Sequence, residues 1–160
     1  MLLYRAFHAH RGVMRPRGAA LGLGTGQPKL IDYLARCGPC SQKQLADYFE
    51  IDPAAVCRML DALEKGGFVT RTAGRTDRRT GVVELTDKGR QAAGAWQQAA
   101  AETEERMLAG FSQKEREQFA GFLRRAYRNL KPDSAFWKET GGDAPEAGRT
   151  GKDGHEGKKE

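Results

Sequence analysis

The sequence predicts a mainly α-helical fold with one small β-hairpin, and three observations indicate it. Apolar side chains recur at helical spacing over much of the chain. Two capping-box patterns, which are typical of helix N-termini, follow one another along the sequence. Two short β-prone runs, 68–72 and 82–86, flank a basic connection with a glycine at each end, and this pattern is typical of a β-hairpin.

Length and composition exclude several classes of protein. The chain has 160 residues, which suits one domain or one domain with an extension. No apolar run approaches the ~18 residues that a membrane span needs, and the N-terminus lacks the pattern of a signal peptide. Three cysteines are too few, and odd in number, for a secreted disulfide scaffold. We therefore expect a cytosolic protein without a membrane segment.

The formal net charge is +6, and the basic residues are concentrated in the first 90 positions. Residues 1–31 contain five Lys and Arg side chains and no acid, and residues 65–90 contain seven bases and three acids. A polyanion partner needs such a clustered basic surface, because each neutralised phosphate releases counterions. Charge alone is equally consistent with a solvated surface that keeps the protein in solution.

The helix starts and stops of the first half can be located from capping residues. A helix over about 1–13 is expected to end before Pro16, and the glycine-rich residues 16–26 are expected to form a loop. A second helix starts at Pro28 and stops at Gly38-Pro39. The GLGTG sequence in the loop lacks the strand–loop–helix frame of a nucleotide site, so no cofactor is predicted.

Capping residues also define the helices that follow. Ser41 with Gln44 starts a short helix, and Asp52-Pro53 starts another that closes at Gly66-Gly67. After the hairpin, Thr86 is the predicted N-cap of a long helix that runs to about 109. The final helix starts at the capping box of Ser112 with Glu115, carries an apolar stripe from Phe119 to Leu130, and ends at Lys131-Pro132. Residues 132–160 are expected to form a mostly disordered tail.

The predicted elements follow the order of a winged helix-turn-helix: a helix, a short helix, a tight break, a second helix and a hairpin. We assign this unit to residues 28–86. The helix that starts at Pro53 would enter the major groove, and Arg58 is its candidate for a guanine edge. Asp77 is expected to brace the hairpin, or wing, by pairing with a neighbouring arginine. The predicted DNA-contacting residues are Ser41, Gln42, Lys43, Ala54, Ala55, Cys57, Arg58, Arg71, Arg75, Arg78 and Arg79.

These residues resemble the MarR family of bacterial transcription regulators. The resemblance rests on SQKQLADYFEIDPAAVCRMLDALEKGGFVTR, on Asp77-Arg78-Arg79 and on LTDKGR at 85–90. It implies a homodimer in which residues 1–27 and the helices of 87–131 form the dimerisation region. It further implies binding to a pseudo-palindromic operator, usually as a repressor, with Asp77 bracing the wing and Arg79 reaching DNA. A small-molecule effector is also implied, but not its identity.

Cys37-Gly-Pro-Cys40 has the sequence of a thioredoxin-type motif, which leaves three interpretations open. It could serve a thiol–disulfide oxidoreductase, but no predicted strand precedes it. It could be a thiol switch inside a regulator, since Cys40 lies just outside a helix N-terminus. It could also be a tight turn without redox function. Cys57, on the predicted recognition helix, is the third possible redox residue.

No nucleophile–base pair or carboxylate pair stands out, so the sequence predicts a non-enzyme. A metal site from the three cysteines with His8 or His10 lacks a second paired motif, and none is predicted. The sequence instead predicts a regulator that leaves its operator when a small molecule binds or a thiol is oxidised. The alternatives are the oxidoreductase and a winged helix that binds a partner without touching DNA.

Overall fold

A computed structural model describes residues 1–72 and 81–134 of the chain. These residues form a mainly helical fold with a small sheet, so the predicted fold class is confirmed. The helices are α1 (Leu2–Ala20), α2 (Gln27–Cys37), α3 (Gln42–Phe49), α4 (Pro53–Lys65), α5 (Asp87–Met107) and α6 (Gln113–Leu130). The strands are β1 (Cys40–Ser41), β2 (Val69–Arg71) and β3 (Val82–Leu85).

The three strands form an antiparallel sheet in the order β1-β3-β2. The pairing of β2 with β3 confirms the predicted hairpin, which we call the wing. Strand β1 was not predicted. It contains only two residues, Cys40 and Ser41, and its pairing with Val83 and Val82 depends on β3, which is distant in sequence. A two-residue strand of this kind carries no periodic signal of its own.

The core lies where α2, α3 and α4 meet the sheet. Their apolar stripes face inward, as the helical spacing predicts. The largest fully buried side chains are Leu30, Ile31, Leu45, Leu60, Leu63, Val56, Val69 and Val83. Because every one of these elements contributes to this one cluster, the helix-turn-helix and the sheet form a single packed unit.

The predicted helix caps are confirmed by their hydrogen bonds. The Ser41 hydroxyl accepts from the backbone N–H of Gln44, and the Gln44 side chain accepts from the Ser41 N–H, which completes a capping box. Ser112 and Glu115 repeat the arrangement at the start of α6. The side chains of Asp52 and Thr86 cap α4 and α5. Each cap satisfies an N–H that the helix itself leaves unpaired.

The prediction that the first helix ends before Pro16 is wrong. Helix α1 continues through Pro16 to Ala20, and only residues 21–26 remain a loop. Gly18, read from the sequence as part of the loop, is buried within the helix. A β-carbon at this position would lie 3.4 Å from Pro28 Cγ and 3.5 Å from a ring carbon of Trp96. Packing of α1 on α5 and on the start of α2 therefore outweighs the hydrogen bond that proline removes.

Helix α6 differs from the other helices of the described chain, because none of its residues is buried. Near its start, Arg116 forms two hydrogen bonds of 2.7 and 3.0 Å to Glu105 of α5. Just beyond its end, Lys131 Nζ lies 3.5 Å from a carboxylate oxygen of Glu50, which follows α3. Helix α6 is thus attached at its two ends, and its apolar side chains are exposed between them.

Candidate nucleic-acid interface

Helices α3 and α4 begin side by side on one surface of the molecule. The Gln42 side chain donates from Nε2 to the carbonyl oxygen of Pro53 over 3.1 Å, so the first turns of the two helices are linked. Asp52 accepts from the N–H of Ala55 over 3.0 Å and fixes the start of α4. The link and the cap together fix the N-termini of α3 and α4 relative to each other.

Helix α4 has one buried and one exposed side. Val56 and Leu60 anchor its inner side in the core. Ala54 and Arg58, one helical turn apart, are exposed on the outer side, which we call the recognition face. Within the part of the chain that the structure describes, the Arg58 guanidinium makes no hydrogen bond or ion pair. It is therefore available to a ligand outside the protein.

The predicted contacts at the start of α3 and on the flank of α4 differ in their availability to a ligand. Lys43 is exposed, and its ammonium has no partner among the described residues. The Ser41 hydroxyl is engaged in the capping box, and the Gln42 amide is bonded to Pro53. Ala55 and Cys57 are half-buried on the flank of α4, where Cys57 Sγ lies 3.9 Å from an Asp61 carboxylate oxygen. Lys43 and Arg58 are thus the available cations at this surface.

Arg71, at the end of β2, is engaged within the protein. Its guanidinium donates to Glu64 from Nε over 2.9 Å and from Nη2 over 2.7 Å, and Nη2 also donates to Asp61. The hydrogen bonds that Arg71 donates to Glu64, followed by the one that it donates to Asp61, raise the pKa of Arg71 further above its ordinary value, against the opposing effect of burial. Sequence reasoning missed this cluster, although Asp61 and Glu64 share a face of α4 at i and i+3.

Arg75, Asp77, Arg78 and Arg79, which the sequence predicts at the tip of the wing, lie outside the described residues. The DNA contacts predicted for the three arginines and the bracing role of Asp77 therefore stay predictions. The base of the wing is described: the Thr72 N–H donates to the Val82 carbonyl oxygen over 3.0 Å.

The LTDKGR segment connects the wing to α4 and α5. Thr86 Oγ1 donates to the carbonyl oxygen of Gly67 over 2.7 Å and accepts from the Gly89 N–H. Lys88 Nζ donates to the carbonyl oxygen of Gly66 over 2.7 Å and lies 4.3 Å from the centre of the Phe68 ring. These side chains therefore satisfy the carbonyl groups just beyond the end of α4 and fix the direction in which α5 leaves the sheet.

A cavity of about 510 Å³ lies between α1, the loop 21–26, the start of α2 and Trp96 of α5. Three cations, Arg11, Arg15 and Lys29, line it, and no carboxylate is among its lining residues in the described chain. Burial lowers the pKa of Lys29. Sequence reasoning did not locate this cavity, because it depends on how α1 packs against distant elements.

The two histidines that the sequence singled out lie on α1. His10 lines the cavity. The His8 ring contacts that of Tyr4 at an angle of 45°, with centroids 4.3 Å apart, on the exposed part of the helix. The described residues contain no group of three or more His, Cys, Asp or Glu side chains arranged for a metal ion.

The three cysteines form no disulfide bond and lie in different environments. Cys37 is the last residue of α2 and is half-buried, whereas Cys40 is buried in β1. In a dithiol oxidoreductase the first thiol lies at a helix N-terminus, which acidifies it, but here Cys37 lies at a helix C-terminus. The surroundings of Cys37 and Cys40 thus do not favour the oxidoreductase alternative.

Across the part of the chain that is described, no helix is long and apolar enough to cross a membrane. The comparisons with known proteins agree with the helix-turn-helix assignment. The sequence model described as MarR family matches residues 26–80. YdgJ, an uncharacterised HTH-type transcriptional regulator of Bacillus subtilis (strain 168), is 32% identical over 112 residues, which are 70% of this chain and 68% of YdgJ.

Solved structures share the fold. A MarR-family transcriptional regulator from Silicibacter pomeroyi matches with a TM-score of 0.68 and 25% identity, over 81% of this chain and 87% of that chain. A MarR-family regulator from Listeria monocytogenes, solved with a 26mer DNA, matches with a TM-score of 0.74 and 20% identity, over 86% of this chain and 92% of that chain. At 20% identity, the second match supports the shared fold alone.

Proposed function

Since this chain belongs to the MarR family of DNA-binding transcriptional regulators, we propose that it is a homodimeric repressor that leaves its operator when a small molecule binds. The observation that carries the DNA-binding part is the pair of available cations, Lys43 and Arg58, on linked helix N-termini. In this proposal Arg58 reads a base edge in the major groove, and Lys43 binds a phosphate.

The exposed apolar side chains of α6 support the homodimer. Phe119, Phe122, Leu123 and Leu130 lie within one side of the helix and are exposed in the single chain. At the other end of the sequence, Leu2, Leu3, Tyr4 and Phe7 of α1 are also exposed. Exposed apolar surface of this extent is typical of a protein interface, and a second copy would cover both sets.

The cavity supports a small-molecule effector. Arg11 and Arg15, together with an apolar lining that includes Met14 and Trp96, favour a ligand with a negative charge and an apolar body. The cavity lies between α1 and the start of the helix-turn-helix, so a ligand there would shift the two recognition helices of a dimer relative to each other. Release from DNA requires that the ligand bind more tightly to the arrangement of the dimer that does not fit DNA than to the arrangement that does.

Thiol oxidation is a second route to release, and the position of Cys57 favours it. Cys57 is half-buried on α4, next to the recognition face. An oxidised thiol there would obstruct the entry of α4 into the major groove of DNA. A regulatory role accounts for the chain without any catalytic step, and we therefore propose that it is not an enzyme.

Selection from a library of random DNA duplexes with the purified, reduced protein tests the proposal. A homodimer should enrich an inverted repeat whose half-sites are about 10 bp apart, centre to centre. Fluorescence anisotropy with the enriched duplex then measures affinity, and repetition after diamide treatment separates thiol release from ligand release. Failure to enrich any motif would contradict sequence-specific DNA binding.

Arg58→Ala sharpens the test at one residue. The variant should lose about 1–3 kcal/mol of binding free energy and relax base preference at one position of each half-site. Arg106→Ala is the matched control, because it removes the same charge from an exposed site near the far end of α5. Equal affinities of Arg58→Ala and wild type for the enriched duplex would exclude Arg58 as a base-reading residue.

A further inference from the structure

Arg71 is the one cation of the described wing strands, and its charge is compensated inside the protein. The wing enters the structure through β2, which ends at Arg71. Its guanidinium bridges the carboxylates of Asp61 and Glu64 on α4, and its side chain is 26% exposed. The cluster of one base and two acids therefore presents net negative charge to an approaching DNA phosphate.

This environment contrasts with that of the two cations predicted to contact DNA from α3 and α4. Lys43 and Arg58 have no partner in the described parts of the chain. For Arg71 to bind a phosphate, the phosphate would have to approach two carboxylates or displace them. Repulsion between the phosphate and the two carboxylates opposes such a contact.

The cluster instead links two elements that both approach DNA in the proposed function. Arg71 pairs with Val83 of β3 in the sheet, so a restraint on Arg71 also acts on the second strand of the wing. The LTDKGR segment already attaches the other end of the hairpin to the end of α4, through Thr86 and Lys88. With Arg71 bound to Asp61 and Glu64, the hairpin is held to α4 at two separate points.

We propose that Arg71 is a positioning residue that fixes the direction of the wing relative to the recognition helix, and that it does not contact DNA. The inference rests on the proposed function, because it assigns a role within operator binding. A planar guanidinium suits this role, since its fork of donors reaches both carboxylates at once.

The salt dependence of operator affinity distinguishes a positioning residue from a phosphate contact. Each phosphate contact that is lost reduces the slope of log K against log salt concentration by about 0.9, or about 1.8 for a dimer. Arg71→Ala should weaken binding at least about fivefold, as expected for loss of about 1 kcal/mol, with an unchanged slope. Lys43→Ala, a proposed phosphate contact, is the control whose slope should fall.

The double variant Asp61→Asn, Glu64→Gln provides a test of opposite sign. Removal of two negative charges near DNA should strengthen binding if Arg71 is then freed to meet a phosphate. If Arg71 is a brace, the same variant should weaken binding, because the wing loses its restraint. Tighter binding by this variant, or a slope that falls in Arg71→Ala as it does in Lys43→Ala, would overturn the proposal.

Hydrogen exchange without DNA separates this inference from the proposed function. Amides of Val69–Arg71 and Val82–Leu85, and of Thr72, should exchange faster in Arg71→Ala and in the double variant than in wild type or Lys43→Ala. Unchanged exchange in both would show that the cluster does not hold the wing, whether or not the protein binds DNA. If the two variants exchange faster than wild type, but wild type shows no operator preference, the proposed function is refuted and the brace remains supported.

Discussion

The helix-turn-helix and α6 are built from similar amphipathic patterns but bury different amounts of them. Leu60 of α4 is 0% exposed, whereas Phe122 and Leu130 of α6 are 58% and 81% exposed. In the first region, α2, α3, α4 and the sheet cover one another's apolar sides within one chain. In the second, the large apolar side chains are exposed, and no described element of the same chain covers them.

The difference shows that a periodic stripe specifies a helix and a buried side, but not the source of the covering surface. For α4 the covering surface comes from elements close in sequence, α2, α3 and β2, and for α6 we propose that it belongs to a second copy. The helix-turn-helix should therefore respond to substitution as an intact core does. Helices α1 and α6 should respond as an interface does.

Gly89→Ala should produce the largest effect, in the region with the filled core. A β-carbon at Gly89 would overlap the carbonyl oxygen of Phe68 and lie 3.0 Å from Leu85 Cδ2. Backbone atoms cannot move aside without shifting α5 from the sheet, so we expect a loss of about 3 kcal/mol in the free energy of unfolding. Urea denaturation at one fixed protein concentration measures it.

Gly94→Ala is the matched control on the same helix. Nothing lies within 4 Å of the β-carbon that this substitution adds, and the site is exposed. Alanine should therefore stabilise α5 by about 0.5–1 kcal/mol, through its better helix propensity. If both variants lose stability equally, the close approach of α5 to Phe68 is not the cause.

Local signals in the sequence predicted much of the helix-turn-helix. The starts of α3 and α4 each have a polar cap, and a cap involves residues only three positions apart, as Ser41 and Gln44 do. Predictions failed where distant contacts decide. Helix α1 continues through Pro16 because α5 and α2 pack on it, and β1 exists because β3 pairs with it.

The same limit applies to the candidate site. The exposed side of α4 followed from its period, so the availability of Arg58 could be anticipated from the sequence. The engagement of Arg71 could not, because its partners depend on how the hairpin folds back on α4. Sequence reasoning counts a basic residue as a DNA contact without knowing which acids the fold brings to it.

Phe122→Asp tests whether the exposed side of α6 is an interface. A carboxylate in the centre of an apolar contact loses its water without gaining a partner, so we expect the dimer dissociation constant to rise at least about 100-fold. Sedimentation velocity over a concentration series measures it. The variant should then bind the selected duplex weakly, because a monomer reaches one half-site only.

Lys114→Ala is the control for this variant. It changes the net charge by the same amount, on α6 but away from the side that carries Phe119 and Phe122. The control should leave the dissociation constant of the dimer unchanged. If Phe122→Asp sediments as wild type does, the apolar side of α6 is not the dimer contact. A second copy then does not account for the exposure of this side.

Glu50 provides the smallest of the expected effects, at a point where the two regions meet. It follows α3 with a left-handed φ of 51°, which is uncommon for a residue other than glycine. A hydrogen bond from Ser134 lowers the pKa of Glu50, with smaller contributions in the same direction from Tyr127 and Lys131, against the opposing effect of burial. The carboxylate thus ties the end of α6 to the helix-turn-helix in its ionised form.

Glu50→Gln should therefore reduce stability by about 1 kcal/mol at neutral pH, since the bonds to a charged acceptor are weakened. Because the folded-state pKa lies below the ordinary value of 4.5, the stabilisation is fully present above that value and disappears as the pH falls through the lower one. The unfolding curves of wild type and variant should converge in acid, whereas the control Glu104→Gln should match wild type throughout. A difference that persists unchanged in acid would mean that the ionised carboxylate does not tie α6 to α3, and that the two regions meet through uncharged contacts instead.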